Sequence, residues 1–288
     1  MNSDIRPLRS ALYLPANRAS AVEKARSADC DAVILDLEDA VAPEAKSEAR
    51  HAAVEAVNQG GFGHRLLVVR VNALDTQWGP ADCAALAGCG PDAVLVPKLC
   101  HPEEAGIYRQ QLGNGPELWA MLETCIAFTQ LSAIAAKSKE SNLTTFVMGT
   151  NDLALEMRAK LDIERTAFQP LLTQAVVTTR AHGLAILDGV FNDIADESGL
   201  QRQCEQGAAI GFDGKTVIHP KQLAITNSAF SPSDDEVAKA RTIVEAFALP
   251  ENAGKGVIKV DGRMTEILHL REAERTLALH DATEHNTT

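Results

Sequence analysis

The sequence predicts a (β/α)8 barrel, or TIM barrel, of the α/β class with a C-terminal helical extension. Eight short β-rich runs alternate with longer helical runs over about 225 of the 288 residues. The short runs are almost continuously apolar, as expected of parallel strands that are buried on both faces. After about residue 228 this alternation stops. The predicted strands are Ser10–Pro15, 32–37, 66–72, 93–97, 118–123, 144–148, 184–187 and 214–218.

Helices are predicted between the strands, where amphipathic or alanine-rich segments occur. Pro43 and Pro102 each stand where the first turn of a helix tolerates proline, and Gly60 and Gly183 follow helices as C-terminal caps. The chain has no G-x-G-x-x-G or G-x-x-x-x-G-K-[ST] motif, which favours a barrel over an open nucleotide-binding sheet. The predicted helices include 20–27, 43–58, 102–112, 126–139, 168–182 and 194–207.

The C-terminal part has a different organisation. We predict a helix over 234–249, a glycine-rich turn at 253–256, an extended segment over 257–261 and a last helix over about 265–280. The expected domains are therefore a catalytic barrel, residues 1–228, and an extension or lid, residues 229–288, that packs on a neighbouring subunit.

Composition excludes several classes of function. The net charge of −12 makes nucleic-acid binding through a basic face unfavourable. No apolar run approaches the roughly 20 residues of a membrane helix, and the polar N-terminus lacks an apolar signal region, so a cytoplasmic enzyme is expected. The six cysteines form no C-x-x-C pair and are interpreted as reduced structural thiols, with a catalytic cysteine as the unsupported alternative.

Ionisable residues follow almost every predicted strand. In a TIM barrel the carboxyl ends of all strands meet at one rim, which is where catalytic groups lie. So many charged residues at one rim predict an active site there. These residues are Asp36, Glu38, Asp39, Arg70, Lys98, Glu123, Asp152, Asp188, Lys215 and His219.

Glu123 and Asp152 come from adjacent strands and are the predicted metal ligands. Two carboxylates about 4 Å apart repel by roughly 4 kcal/mol at an effective dielectric constant of 20, so they need a shared proton, a cationic side chain or a metal. Oxygen ligands without nearby His or Cys favour Mg²⁺, with Mn²⁺ as an alternative. The competing interpretation is a salt-bridge network with Arg70 and Lys98.

Arg70 is predicted to hold an enolate or carboxylate oxygen with its planar guanidinium group. Asp36 and Glu38 are two positions apart and should point in the same direction along the strand. One of the acids in this segment is expected to orient water at the metal, and another to fix Arg70 or Lys98. Glu38 and Asp39 are therefore candidate catalytic residues.

These motifs together resemble the HpcH/HpaI aldolase–citrate lyase superfamily, and in particular the coenzyme A ester lyases that are similar to the citrate lyase β subunit. The resemblance covers nearly the whole chain, in order. It implies a TIM barrel, Mg²⁺ held by Glu123 and Asp152, a trimer or hexamer, and a tail that lies over a neighbouring active site. The motifs are SALYLP at 10–15, DLED at 36–39, RVN at 70–72, VPK at 96–98, GTNDL at 149–153 and GKTVIHP at 214–220.

The chain departs from this family in two places. Where relatives commonly have a glycine and an arginine after the first strand, this chain has Ala16 and then Arg18, which together with Lys24 is the candidate anchor for the phosphates of coenzyme A. Tyr13 and Lys98 complete the expected coenzyme A contacts. The tail motif of the family usually ends in an acid/base Asp, and Glu266 stands at that position here; the alternative is a solvated acid at a helix start.

The resemblance implies a Mg²⁺-dependent carbon–carbon lyase that cleaves a short 3-hydroxyacyl-coenzyme A of the malyl, methylmalyl, citramalyl or citryl type. Arg70 would hold the acyl-coenzyme A enolate, and Glu266 would protonate it. Three alternatives remain: a malyl-coenzyme A-type thioesterase, the β subunit of a citrate lyase complex that uses a carrier-protein thioester, and an aldolase that forms a Schiff base at Lys98.

Overall fold

A computed structural model of the chain describes residues 6–285; the first five residues of the polar N-terminus and residues 286–288 lie outside that range. Eight parallel strands form a closed barrel in sequence order, with β1 hydrogen-bonded to β8. The predicted TIM barrel is confirmed, and each predicted strand is observed with ends shifted by no more than two residues. The strands are β1 Ser10–Pro15, β2 Ala32–Asp36, β3 Leu66–Arg70, β4 Ala93–Val96, β5 Glu117–Leu122, β6 Leu143–Met148, β7 Ala185–Asp188 and β8 Gly214–Val217.

Helices connect the strands, and their ends follow from local sequence. Pro102 opens its helix, where His101 and Glu104 form a capping box, and Gly60 with φ 60° ends another. The helix predicted over 194–207 begins at Glu197 instead, because the Asp196 side chain accepts a hydrogen bond from Gly199 N and caps it there. The helices are α1 Ala19–Ala25, α2 Lys46–Gln59, α3 Gly79–Leu86, α4 Pro102–Leu112, α5 Cys125–Ala136, α6 Ser138–Ser141, α7 Thr150–Met157, α8 Gln169–Ala181, α9 Glu197–Ile210, α10 Leu223–Ala229, α11 Asp234–Ala248 and α12 Ile267–His285.

The barrel interior is filled by side chains from alternate strand positions. These residues pack into one apolar cluster, so the barrel has a filled hydrophobic core, and the polar rim lies at one end of that core. The cluster comprises Leu8, Ala11, Ala32, Ile34, Leu66, Val68, Ala93, Leu95, Trp119, Met121, Val147 and Leu187.

A buried ionic network joins β7 and β8. Asp188 Oδ1 lies 2.6 Å from Arg165 Nη1, and its Oδ2 lies 3.0 Å from Lys215 Nζ. All three side chains are almost fully buried, and Arg165 has a left-handed backbone with φ 52°. Burial alone would raise the pKa of Asp188, but Lys215 and Arg165 outweigh it and hold that pKa below its usual value.

The C-terminal part contains a β-hairpin between two helices. β9 (Val257–Val260) pairs antiparallel with β10 (Arg263–Glu266), joined by Asp261 and Gly262 at φ 48° and 80°. The last helix begins at Ile267, two residues after the predicted start at about residue 265, because Thr265 and Glu266 pair with β9. An Asp-Gly pair is the usual two-residue hairpin loop, with both residues at positive φ.

The chain divides into two compact units. One is Leu8–Asn227, which contains the barrel; the other contains the residues from Ser228 onward, with Arg6 and Pro7. Among the described helices, none combines the length and the apolar composition that crossing a bilayer requires.

Candidate active site

A layer of polar side chains lies directly above the apolar interior. Tyr13, Asp36, Arg70 and Glu123 each stand two positions beyond a residue of the apolar cluster, so strand alternation directs them inward. Register brings Asp36 beside Arg70 on neighbouring strands. The interior of the barrel thus changes from apolar to charged within one layer.

This layer forms part of the wall of a cavity of about 300 Å³. Four carboxylates and only one guanidinium group line it, so an added cation would be attracted there. The predicted residues Tyr13, Asp39, Arg70, Glu123 and Asp152 all lie in its wall. The full lining is Tyr13, Asp36, Asp39, Ala40, Arg70, Met121, Glu123, Met148, Gly149, Thr150, Asn151, Asp152, Val190, Asn192, Thr216 and Ile218.

Arg70 is held rigidly by Asp36. Its Nε and Nη2 each donate to one carboxylate oxygen of Asp36 at 2.7 Å, and the ring of Tyr13 lies 5.1 Å from its guanidinium carbon. Burial would lower the pKa of Arg70, but the hydrogen bonds and charge of Asp36 raise it well above the usual value. Arg70 is therefore a permanent cation whose remaining N–H groups on Nη1 and Nη2 have a fixed direction.

Glu38 connects Arg70 with Lys98. Its Oε2 lies 2.9 Å from Arg70 Nη1, an ion pair without hydrogen-bond angles, and its Oε1 lies 3.4 Å from Lys98 Nζ. Burial, more than the charge of Asp39, raises the pKa of Glu38 to about 6. Glu38 is absent from the cavity lining and its carboxylate pairs with the two cations; its catalytic role remains a proposal.

Lys98 is half exposed and does not line the cavity. Burial would lower its pKa, but the charges of Glu38, Glu123 and Asp152 raise it above the usual value. A Schiff-base lysine needs a depressed pKa, so the aldolase alternative is disfavoured. Its backbone N–H, in a left-handed residue with φ 51°, donates to Glu123 Oε1 at 2.7 Å.

Glu123 and Asp152 face the same cavity from the ends of adjacent strands. Burial, the charge of Glu38 and the charge of Asp152 raise the pKa of Glu123 to about 8. Neither carboxylate pairs with a cationic side chain in the described part of the chain, since the Arg70 and Lys98 side chains pair with Asp36 and Glu38 instead. The alternative salt-bridge network is therefore wrong.

A hard divalent cation fits these two carboxylates. Mg²⁺ and Mn²⁺ prefer oxygen ligands, and Mg²⁺ usually takes one or two carboxylates and completes its shell with water or substrate. Among residues 6–285, no cluster of three or more His, Cys, Asp or Glu side chains is placed to hold a metal by itself. A site with two protein ligands and open positions agrees with both observations.

Gly149 makes room for Glu123. It ends β6 and caps α7, and a side chain there would place its Cβ 2.6 Å from Glu123 Oε2. The strand–helix junction thus needs glycine for a steric reason.

Besides Glu38 and Lys98, three predicted residues lie away from the cavity wall. Arg18 and Lys24 are exposed on the loop before α1 and on α1 itself. Glu266 is exposed at the end of β10 in the C-terminal unit, where its backbone N–H donates to His269 Nδ1 at 2.9 Å. Their assignment to coenzyme A binding and to acid/base chemistry remains a proposal.

Sequence reasoning missed Asn192, which lines the cavity from the loop after β7. Its amide forms two hydrogen bonds with the amide of Asn151. Asn151 belongs to the GTNDL motif, but Asn192 lies in an irregular loop with no periodic signal. A cavity residue in such a loop becomes visible only when the fold is known.

Comparisons with known proteins show similarity over nearly the whole chain. A family model described as HpcH/HpaI aldolase/citrate lyase matches residues 9–220. A (3S)-malyl-CoA thioesterase of Cereibacter sphaeroides (strain KD131) is 45% identical, with 96% of this chain and 95% of the relative covered. An L-malyl-CoA/beta-methylmalyl-CoA lyase of the same species (strain ATCC 17025) is 31% identical, with 93% of each chain covered.

Among solved structures, a CitE protein of Mycobacterium tuberculosis is similar over 96% of this chain and 98% of its own. The TM-score is 0.78 and the sequence identity is 28%. That protein was crystallised in complex with magnesium, acetoacetate and coenzyme A.

Proposed function

The chain belongs to the HpcH/HpaI aldolase/citrate lyase family, and from this premise we propose that it hydrolyses a malyl-coenzyme A-type thioester to the hydroxy acid and free coenzyme A. The observation that carries the proposal is the 45% identity to a (3S)-malyl-CoA thioesterase over nearly the full length. The thioesterase, an alternative in the sequence interpretation, thus replaces the carbon–carbon lyase as the preferred function.

The proposed cofactor is Mg²⁺ held by Glu123 and Asp152. The two carboxylates supply the hard oxygen ligands that this ion prefers, and the M. tuberculosis relative, crystallised with magnesium and coenzyme A, supports the assignment. The ion would act as a Lewis acid toward the oxygens of the acyl group.

The cavity residues supply the other requirements of hydrolysis. Arg70, fixed by Asp36, places its guanidinium charge in the cavity wall, where it can stabilise the negative charge that develops on the thioester carbonyl oxygen. Asp39 is exposed, lines the cavity and has Oδ2 3.6 Å from Arg70 Nη1, so it can take a proton from water that attacks next to that oxygen. A C–O bond forms, the C–S bond breaks, and coenzyme A leaves as a thiol.

Arg18 and Lys24 remain the proposed contacts of the coenzyme A phosphates, because both are exposed cations after β1. Tyr13, in the cavity wall, and Lys98, outside it, complete the proposed coenzyme A contacts. A cytoplasmic trimer or hexamer remains the expected assembly.

Product analysis tests the proposal. The purified chain is incubated with malyl-coenzyme A and Mg²⁺, and free thiol, malate and glyoxylate are measured. We expect equal amounts of thiol and malate, and Glu123→Ala should abolish both and weaken Mg²⁺ binding in calorimetry. Glyoxylate and acetyl-coenzyme A without free thiol would make the chain a lyase, as its 31% identical relative is named. Turnover of a carrier-protein thioester alone would favour the citrate lyase subunit.

A further inference from the structure

Two amides meet at the side of the cavity formed by the ends of β6 and β7. Asn192 Nδ2 donates to Asn151 Oδ1 at 2.8 Å, and Asn151 Nδ2 donates to Asn192 Oδ1 at 3.2 Å. Both side chains line the cavity, and both residues are exposed. The pair joins the first turn of α7 to the loop after β7.

The reciprocal bonds determine what the pair can offer a ligand. Each amide has two N–H donors and one carbonyl oxygen, and the pair uses one donor and the oxygen of each residue. One N–H of each amide remains available. The remaining N–H groups of a reciprocal amide pair point in opposite directions, so a carboxylate would accept a hydrogen bond from one of them.

The rest of the wall is poor in such donors. Among its described side chains, N–H groups belong only to Arg70, Asn151 and Asn192. Two nitrogens of Arg70 already donate to Asp36 and the third donates to Met121 Sδ, while the hydroxyl of Thr216 donates to Asp188 O. The Tyr13 hydroxyl, which is buried without a hydrogen-bond partner, adds a single neutral donor. A substrate carboxylate in this acidic cavity therefore needs neutral donors that carry no carboxylate partner.

We propose that Asn192, held in place by Asn151, is the specificity-determining contact for the carboxylate of the acyl group. This inference rests on the proposed thioester substrate. It predicts that the enzyme selects hydroxyacyl thioesters that end in a carboxylate over otherwise similar thioesters that end in a methyl group. Hydrolysis and carbon–carbon cleavage would share this selectivity.

Two variants separate a specificity role from a structural one. Asn192→Asp keeps an acceptor for Asn151 Nδ2, so it keeps one bond of the pair, but it replaces the free N–H with a negative charge. Asn192→Ala removes both bonds without adding charge. If Asn192 recognises a carboxylate, the Asp variant is the worse of the two; if it only holds α7 in place, the Ala variant is worse.

The measurement is kcat/KM for malyl-coenzyme A and for 3-hydroxybutyryl-coenzyme A. For malyl-coenzyme A we expect losses of roughly 100-fold or more in Asn192→Asp and roughly tenfold in Asn192→Ala, mainly through KM. In both variants, kcat/KM for 3-hydroxybutyryl-coenzyme A and the Kd for magnesium should each change less than about threefold. Asn58→Asp, the same charge change at an exposed position on α2, is the control.

Equal losses on both thioesters, a weaker magnesium Kd, or a larger loss in Asn192→Ala than in Asn192→Asp would overturn the inference. The wild-type products test the proposed function separately. If the wild type is a lyase, kcat/KM of the wild type and the variants is measured from glyoxylate release instead of thiol release. If the wild type acts on neither thioester, the proposed function fails; the inference is then judged by malate binding, which should weaken most in Asn192→Asp.

Discussion

Asp39 differs from the other acids of the rim in its exposure. Asp36 and Glu38 are buried against Arg70, whereas 61% of the Asp39 side chain is accessible and its carboxylate reaches the cavity. A base for water must be reached by solvent and must lie near the group that stabilises the oxyanion. Of the three acids at the end of β2 and just after it, Asp39 alone satisfies both conditions.

Asp39→Asn should lower thiol release by roughly 100-fold to 10,000-fold, the usual contribution of a general base. The magnesium Kd should stay within about threefold, because Asp39 is not a proposed ligand. Stopped-flow detection of free thiol and calorimetry give the two values. Asp75→Asn, the same change at an exposed position after β3, should leave both unchanged. Full hydrolysis by the Asp39 variant would place the base elsewhere.

The residues that could be predicted from sequence are those that a strand positions. Arg70 and Glu123 follow apolar strands, so the period of two and the common rim were enough to place them together. Asn192 was missed, because the irregular loop after β7 has no period from which its direction could be inferred. Glu38 was assigned to catalysis, but beyond the end of β2 at Asp36 strand alternation no longer fixes a side chain, and Glu38 turns to Arg70 and Lys98.

At the scale of elements, the junction of β6 and α7 is where fold and site depend on each other. The chain turns from strand to helix within one residue, Gly149, and presents Asp152 in the first turn of α7 while Glu123 lies directly beside the turn. The strands themselves were predicted well, because parallel strands buried on both faces leave a strong apolar signal.

Gly149→Ala should displace Glu123, because the new methyl group would lie closer to Oε2 than van der Waals contact allows. We expect the magnesium Kd to weaken at least tenfold and thiol release to fall at least as much, measured by calorimetry and a thiol assay. Gly106→Ala is the control: it lies in the interior of α4 with open space around it, so it should raise stability by about 0.5–1 kcal/mol and leave activity unchanged.

The ionic network between β7 and β8 should dominate the response of the barrel to mutation. Asp188→Asn leaves Arg165 and Lys215 buried without their counter-ion, which should cost about 3–5 kcal/mol of unfolding free energy in urea denaturation. Glu140→Gln breaks only the exposed pair with Lys137 and should cause no measurable change.

The pH dependence of that loss follows from the depressed pKa of Asp188. A carboxylate whose pKa is lower in the folded than in the unfolded state stabilises the fold above its unfolded pKa, roughly 4. The stability difference between wild type and Asp188→Asn should therefore shrink as the pH falls below about 4. A difference that grew on acidification would contradict this assignment of charges.

At the scale of the whole molecule, all cavity-lining residues belong to the unit Leu8–Asn227, and the proposed acid/base Glu266 belongs to the other. The barrel could be predicted from its eightfold repetition. The C-terminal unit repeats nothing, and its hairpin was missed because two four-residue strands leave little periodic signal. The Asp261-Gly262 loop was the one local sign of it.

The two candidate reactions make different demands on Glu266. In carbon–carbon cleavage the leaving group is a thioester enolate, which must receive a proton on carbon, so a positioned acid is needed. In hydrolysis the leaving group is a thiolate, which is a far weaker base than an enolate carbon, so it departs without a positioned acid and takes its proton from water. If the chain is a thioesterase with Asp39 as its base, Glu266→Gln should retain thiol release within about threefold and abolish any residual glyoxylate formation, with both products followed in one reaction mixture. Glu272→Gln, at an exposed position on α12, is the matched control. Loss of thiol release in Glu266→Gln, with hydrolysis intact in Asp39→Asn, would transfer the role of base from the barrel to the tail.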